Sequence, residues 1–139
     1  LVHEEVDNVV INGDRNQVTM AINNLIENAI NYSPDATRVA ITSKVVDGIV
    51  EIAVSDQGIG IPEKDLERIF ERFYRVDPAR SRLTGGTGLG LSIVKHIATN
   101  HGGDVSLWSV EGAGSTFTIR FPLSSNALAA EKPNMEGNK

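Results

Sequence analysis

The chain contains no cysteine. That absence excludes a disulfide framework, thiol catalysis and a cysteine-ligated zinc site, and it fits a reducing compartment. The three histidines, His3, His96 and His101, lack the spacing of a metal site. No run of about 18 apolar residues occurs, so nothing in the sequence reads as a membrane-spanning helix. No basic-then-apolar signal segment opens the chain either. Positive charge is in the minority: 13 Lys and Arg stand against 18 Asp and Glu, a formal net charge of −5. Such a balance argues against binding a nucleic-acid backbone.

What is present suits one globular domain. The 139 residues are 40% hydrophobic and 22% charged, and a chain of this size buries roughly two thirds of its unfolded surface around one core. Its first residue is Leu rather than Met, so a piece of a longer protein is expected. After Leu123 the composition turns polar, with Leu128 and Met135 the only large apolar side chains. The expected organisation is therefore a folded domain over 1–123 and a disordered tail over 124–139.

Val9-Val10-Ile11 reads as a short strand ending at Asn12-Gly13. A helix follows from about Asp14, a suitable N-cap, to Tyr32. Val18, Ala21, Ile22, Leu25, Ile26, Ala29 and Ile30 recur at helical spacing and predict one face packed on a core. Two β-branched runs, Thr37–Val46 and Ile49–Ser55, flank Asp47-Gly48, a tight hairpin signal. Glu63–Phe70 shows a short helical pattern. From Arg72 to Thr87 periodicity disappears; Arg72, Arg75, Arg80 and Arg82 against Asp77 leave a local charge of +3, and the stretch reads as a mobile lid. A second amphipathic helix is expected over Leu89–Asn100, closed by Gly102-Gly103. Strands over Asp104–Val110 and Ser115–Phe121 complete the chain. This order predicts an α/β (α+β) two-layer sandwich, one mixed, mostly antiparallel sheet with helices on one face.

Three features carry chemistry. The first is an asparagine stripe: Asn24, Asn28 and Asn31, with Glu27, fall within one arc of the first helix. The arc lies mostly opposite the apolar face, and Asn28 borders that face near Ala21. Three asparagines cost a helix about 2 kcal/mol relative to alanine, and a plain solvated face is normally built from Glu, Lys, Gln and Arg. Neutral amides suit oxygen donors aimed at a ligand or a hard cation such as magnesium, which keeps waters and is shared with phosphate. The second is the loop Asp56-Gln57-Gly58-Ile59-Gly60-Ile61-Pro62 after a strand. Its glycines allow a tight turn or a close approach to a flat ligand. A carboxylate at the strand end would accept a hydrogen bond from the adenine amine and repel the guanine carbonyl, a difference of roughly 1.5–3 kcal/mol. The third is Gly85-Gly86-Thr87-Gly88-Leu89-Gly90-Leu91, running into a helix. Backbone amides at a helix start, with glycines that admit anions, make a phosphate site. It is not a Walker A loop, because no Gly-Lys-Ser/Thr occurs, and it lacks the third glycine of a dinucleotide fingerprint. The plain alternatives are surface turns and a hinge; the order and spacing of all three features argue for a site.

Together these segments resemble the sensor histidine kinases. Residues 26–33 resemble the N box, Asp56–Pro62 the first glycine box, Phe70–Asp77 the F box and Gly86–Leu91 the second glycine box; Gly112–Phe117 resembles the closing strand motif. The likeness spans about residues 9–123. It implies the catalytic, ATP-binding domain with a Bergerat-type fold, and the F box separates it from gyrase-type topoisomerases, chaperones of the Hsp90 kind and mismatch-repair ATPases. Carried over, the resemblance makes Asn28 the magnesium ligand and places Asn24 close to phosphates and metal. Asp56 would read adenine, Gly58 and Gly60 would line its pocket, and Tyr32 and Ile61 would pack on the ring. Gly86, Thr87, Gly88, Leu89, Gly90 and Leu91 would form the phosphate cradle. Arg75 would reach the γ-phosphate, and Thr116 would support the Asp56 end through water. Asn31 stands where the family commonly has lysine, which shifts phosphate binding toward the lid arginines.

Hydrolysing relatives place a glutamate where this chain has Asn24, and a neutral amide is no general base; Glu27 is the nearby carboxylate. No histidine sits in a His-Glu/Asp-x-x-x-Pro context. The expected function is therefore to bind Mg-ATP and to donate its γ-phosphate to a histidine on a separate helical dimerisation domain of the same protein, for relay to a response regulator. No nucleic-acid partner and no direct membrane contact are expected, and the resemblance implies the cytoplasmic domain of a membrane-anchored bacterial sensor. The alternatives are an independent ATPase or ATP-gated clamp, and a binding module without transfer activity.

Overall fold

The computed structural model describes residues 2–3 (backbone only), 11, 13–31, 38–74 and 90–123. Its elements are β1 (Val2–His3), α1 (Arg15–Asn31), β2 (Ala40–Val46), β3 (Ile49–Asp56), a 3₁₀ turn (Glu63–Asp65), α2 (Gly90–Asn100), β4 (Asp104–Val110) and β5 (Gly114–Pro122). The sheet order is β1-β2-β3-β5-β4; β1 is parallel to β2 and every other pair is antiparallel. Both helices pack on each other and on one face of the sheet, giving the expected two-layer sandwich.

Asp14 caps α1: its Oδ1 accepts the amides of Asn16 at 2.8 Å and Gln17 at 3.2 Å, satisfying donors that a helix start leaves orphaned. Ala21, Leu25 and Ala29 then line up along the buried face. They meet Val94, Ile97 and Ala98 of α2 and the inward side chains of the sheet, Val50, Val54, Phe117, Ile119 and Phe121. Each large side chain buried here contributes roughly 1.5–3 kcal/mol. Ile30, expected on the apolar face, is instead exposed. Asp47 and Gly48 both have positive φ, 53° and 77°, the signature of the two-residue turn whose twist matches its strands.

The helices are also joined end to end. His101, just past α2, uses both ring nitrogens: Nδ1 donates to the Ile97 carbonyl at 2.8 Å, and Nε2 accepts the Asp14 amide at 3.0 Å. Its ring meets Phe121 edge-on at 5.8 Å. A side chain at Gly13 would run into this imidazole. Immediately after His101, Gly103 N–H reaches the Ala98 carbonyl at 2.9 Å and Gly102 N–H that of Thr99 at 3.1 Å, the paired bonds of a Schellman stop.

Two expectations are corrected. The N-terminal region holds a strand at Val2–His3, and the expected strand does not take in Ile11. Ile11 lies outside any strand and is half-buried against the core, so its apolar character reflects packing; Val9 and Val10 lie outside the described residues. Glu63–Phe70 does not form an α-helix. Asp65, Leu66, Arg68, Glu71 and Tyr74 each donate to the carbonyl three residues back, a run of tight turns. Inside it the Asp65 side chain is drawn into the interior, where the Tyr74 hydroxyl donates to it. The expected tail over 124–139 and, of the expected lid over 72–87, residues 75–87 lie outside the described residues.

Candidate functional site

Asp56 ends β3, and its side chain shares the helix-covered face with Val54 and, across the ladder, with Ser115 and Phe117. Its Oδ1 accepts the Gly58 amide at 2.8 Å, which turns the chain away from the strand. Burial pushes the carboxyl above its ordinary value, while the backbone amides of Gly58 and Ser115 pull it back. Such a carboxylate gains from any further donor brought to it, because little water is left to solvate it. Gly58 and Gly60 are both buried. Gly60 has φ 73°, and a Cβ there would collide with the Val110 carbonyl, so only glycine lets the loop lie on the β4–β5 turn. Gly112 N–H to the Ile59 carbonyl at 2.7 Å and Ile61 N–H to Ser109 Oγ at 2.8 Å fasten the loop there. The Ile61 side chain is half-buried against the core.

The asparagine stripe runs along the middle and end of α1. Asn24 and Asn28 are half-buried, while Glu27 and Asn31 are exposed. Asn24 Nδ2 donates to the Gly90 carbonyl at 3.4 Å, bringing the stripe to the first residue of α2, the end of the second glycine segment. No acidic side chain occupies the first turn of α2, so no carboxylate there offsets the positive end of the helix dipole. Leu91, next in line, packs against the core. Among the described residues no group of three or more His, Cys, Asp or Glu converges. The donor set is thus amide oxygen, the kind that fits a magnesium ion whose other ligands are phosphate and water rather than a protein cage.

Tyr32, Arg75, Gly86, Thr87, Gly88 and Leu89 lie outside the described residues. Thr116 is not brought to Asp56. Its hydroxyl pairs with Ser55 at 2.9 Å on the uncovered face of the sheet. The residue opposite Asp56 is Ser115, buried at 5% exposure. Strand parity carried that signal: Phe117 must face the core, so Ser115 faces inward with it and Thr116 outward. Ser109 was also missed, since a serine in a β-branched run has no local mark of a loop contact.

The family described as "Histidine kinase-, DNA gyrase B-, and HSP90-like ATPase" matches residues 13–125. The sensor-like histidine kinase SenX3 of Mycolicibacterium smegmatis is 59% identical over 110 residues, 79% of this chain and 29% of that protein. The chain thus spans less than a third of that relative's length. Among solved structures, the catalytic domain of histidine kinase ThkA aligns with a TM-score of 0.73 at 30% identity, covering 87% of this chain and 77% of that one. Full-length ShkA, solved in complex with AMPPNP, aligns with a TM-score of 0.67 at 31% identity, covering 80% of this chain and 22% of that one.

Proposed function

Because the chain belongs to the family of histidine kinase-, DNA gyrase B- and HSP90-like ATPases, we propose that it binds Mg-ATP as the catalytic domain of a sensor histidine kinase. It passes the γ-phosphate to a histidine on a helical dimerisation domain of the same protein, from which a response regulator takes it. The parent protein is membrane-anchored with this domain on the cytoplasmic side; no helix of the described residues is itself long and apolar enough to cross a membrane.

The observation that carries this reading is the Asn24–Gly90 contact. It sets the oxygen donors of α1 beside the helix start that would hold phosphate. In this reading Asp56 accepts the adenine amine, Gly58 and Gly60 form the pocket wall, and Tyr32 and Ile61 pack on the ring. Gly86, Thr87, Gly88, Leu89, Gly90 and Leu91 carry the triphosphate, with Arg75 at its end and Asn31 at its side. Asn28 holds the magnesium ion, and Asn24 lies close to it. Magnesium, when bound, neutralises charge on the phosphates. The protein's own contribution is positioning and electrostatic preorganisation, which dominate phosphoryl transfer.

Water activation is poorly served. Position 24 carries an amide, and Glu27, the neighbouring carboxylate, is exposed. Neither histidine with a described side chain suits the acceptor role: His101 has both nitrogens engaged, and His96 Nε2 lies 3.1 Å from Asn100 Nδ2. Slow hydrolysis by the chain alone is expected.

The test is calorimetric titration with Mg-ATP, then incubation with labelled ATP and a dimeric helical hairpin bearing a phosphoacceptor histidine. Heat on titration and label on the hairpin support the reading. Absence of heat, rapid phosphate release by the chain alone, or binding without label on the hairpin each refutes it.

A further inference from the structure

Among the described residues Asp65 is the one charged side chain that is buried, at 4% exposure. A carboxylate withdrawn from water costs free energy unless donors replace the water. The donor here is the Tyr74 hydroxyl, whose proton goes to Asp65 Oδ1. An ionised carboxylate can only accept, so the direction of that bond is fixed. The same bond raises the Tyr74 hydroxyl above its ordinary pKa. The phenol ring is held as well: the Arg68 guanidinium lies over its face at 4.5 Å, and Arg68 pairs with Glu71 at 3.1 Å.

Asp65 stands three residues after Pro62, the last residue of the loop that begins at Asp56. Its amide donates to the Pro62 carbonyl at 2.9 Å. The other side of the loop is fastened to β4 and the β4–β5 turn through Ile61 N–H to Ser109 Oγ at 2.8 Å and Gly112 N–H to the Ile59 carbonyl at 2.7 Å. Ile61 therefore sits between two anchorages, one of them ending on the buried carboxylate. Without the Tyr74 hydroxyl that carboxylate gains by turning outward to water, and the backbone it would draw on is the stretch bonded to Pro62.

We propose that Tyr74 is a positioning residue for base binding: by holding the buried Asp65 carboxylate, its hydroxyl keeps the Pro62 end of the loop, and Ile61 with it, in the place that receives the purine. The inference rests on the reading of Asp56–Pro62 as the purine site. The hydroxyl acts through Asp65 and the loop, so its effect falls on the part of the nucleotide that ATP and ADP share.

Calorimetry on the full chain with Mg-ATP and with Mg-ADP, well below the melting temperature, tests this. If the unaltered chain binds neither nucleotide, the reading of the loop fails and the proposal falls with it. Given binding, Tyr74→Phe, which removes only the hydroxyl, is expected to weaken both nucleotides alike, by about tenfold, the worth of one charge-assisted hydrogen bond. Asp65→Asn leaves the hydroxyl an acceptor oxygen and is expected to retain most of the affinity. A purely structural bond would lower the melting temperature of Tyr74→Phe and leave the affinities of the folded chain unchanged, which overturns the proposal. A loss confined to ATP, or a loss in Asp65→Asn as large as in Tyr74→Phe, overturns it too. If circular dichroism shows Tyr74→Phe unfolded, Asp65→Ala takes its place, with the same joint loss expected and unchanged affinities again decisive against.

Discussion

Glu51 and Arg120 are register partners on β3 and β5, and their side chains meet at 2.9 Å on the face of the sheet that the helices leave uncovered. Arg120 also reaches Asp104 on β4 at 3.0 Å and Ser106 at 2.9 Å, while Lys44 on β2 approaches Glu51 at 3.7 Å. Charge thus alternates across four strands in spatial order, with Arg120 the cation held between two carboxylates. Those carboxylates push its proton affinity up, Asp104 first and then Glu51.

Arg120→Ala is expected to destabilise the fold by about 1 kcal/mol, since it removes a shared partner rather than a lone surface pair. Urea denaturation checks this. The difference from the unaltered protein should shrink in about 1 M salt, and Arg120→Lys should recover only part of it, because a single ammonium cannot span both carboxylates.

Gly60→Ala is expected to cost about 2 kcal/mol or more. It combines a positive-φ penalty with a collision against the Val110 backbone. Thermal unfolding measures the loss, and nucleotide affinity should fall with it, since the loop cannot stay seated on the β4–β5 turn.

Acidification should weaken ATP binding at a higher pH than an ordinary aspartate would give. Burial raises the Asp56 carboxyl above 3.8, and under the proposed reading the protonated form is the poorer acceptor for an adenine amine. For the empty protein the sign is opposite. A raised carboxyl contributes stability that is fully present below 3.8 and is lost as pH rises through the folded value. Carboxyl NMR with and without nucleotide separates the two, because binding should lower the Asp56 midpoint. Asp56→Asn should weaken ATP binding about tenfold or more at neutral pH.

Asn28→Ala is expected to leave the melting temperature unchanged or slightly raised, because alanine is the better helix former by about 0.6 kcal/mol. The stabilisation expected from Mg-ATP in the unaltered chain, about 2.7 kcal/mol at a hundredfold excess over Kd and read as a rise in melting temperature, should largely disappear. A preserved shift would remove Asn28 from the metal site.

Much of this was readable because it is written locally. Asp47-Gly48 announces its turn because few other residues tolerate two successive positive φ values. Asp14 announces α1 because a short acceptor suits orphaned amides. Asp56 and its glycines stand out as a strand end that cannot continue. What escaped depends on partners distant in sequence or on parity. Nothing near His101 forecasts a bond to an amide 87 residues away. Thr116 and Ser115 are alike as polar residues, and only the inward commitment of Phe117 separates them. Glu63–Phe70 has helical spacing, yet its backbone bonds close three residues back and its Asp65 turns inward to Tyr74.

The imidazole lodged against Gly13 has a practical corollary for anyone trimming the polypeptide. An expression fragment begun at Arg15 would contain every residue of both helices and still lack the amide that His101 Nε2 accepts, together with the cap that starts α1. The workable cut therefore falls no later than Gly13, two residues before the helix begins at Arg15.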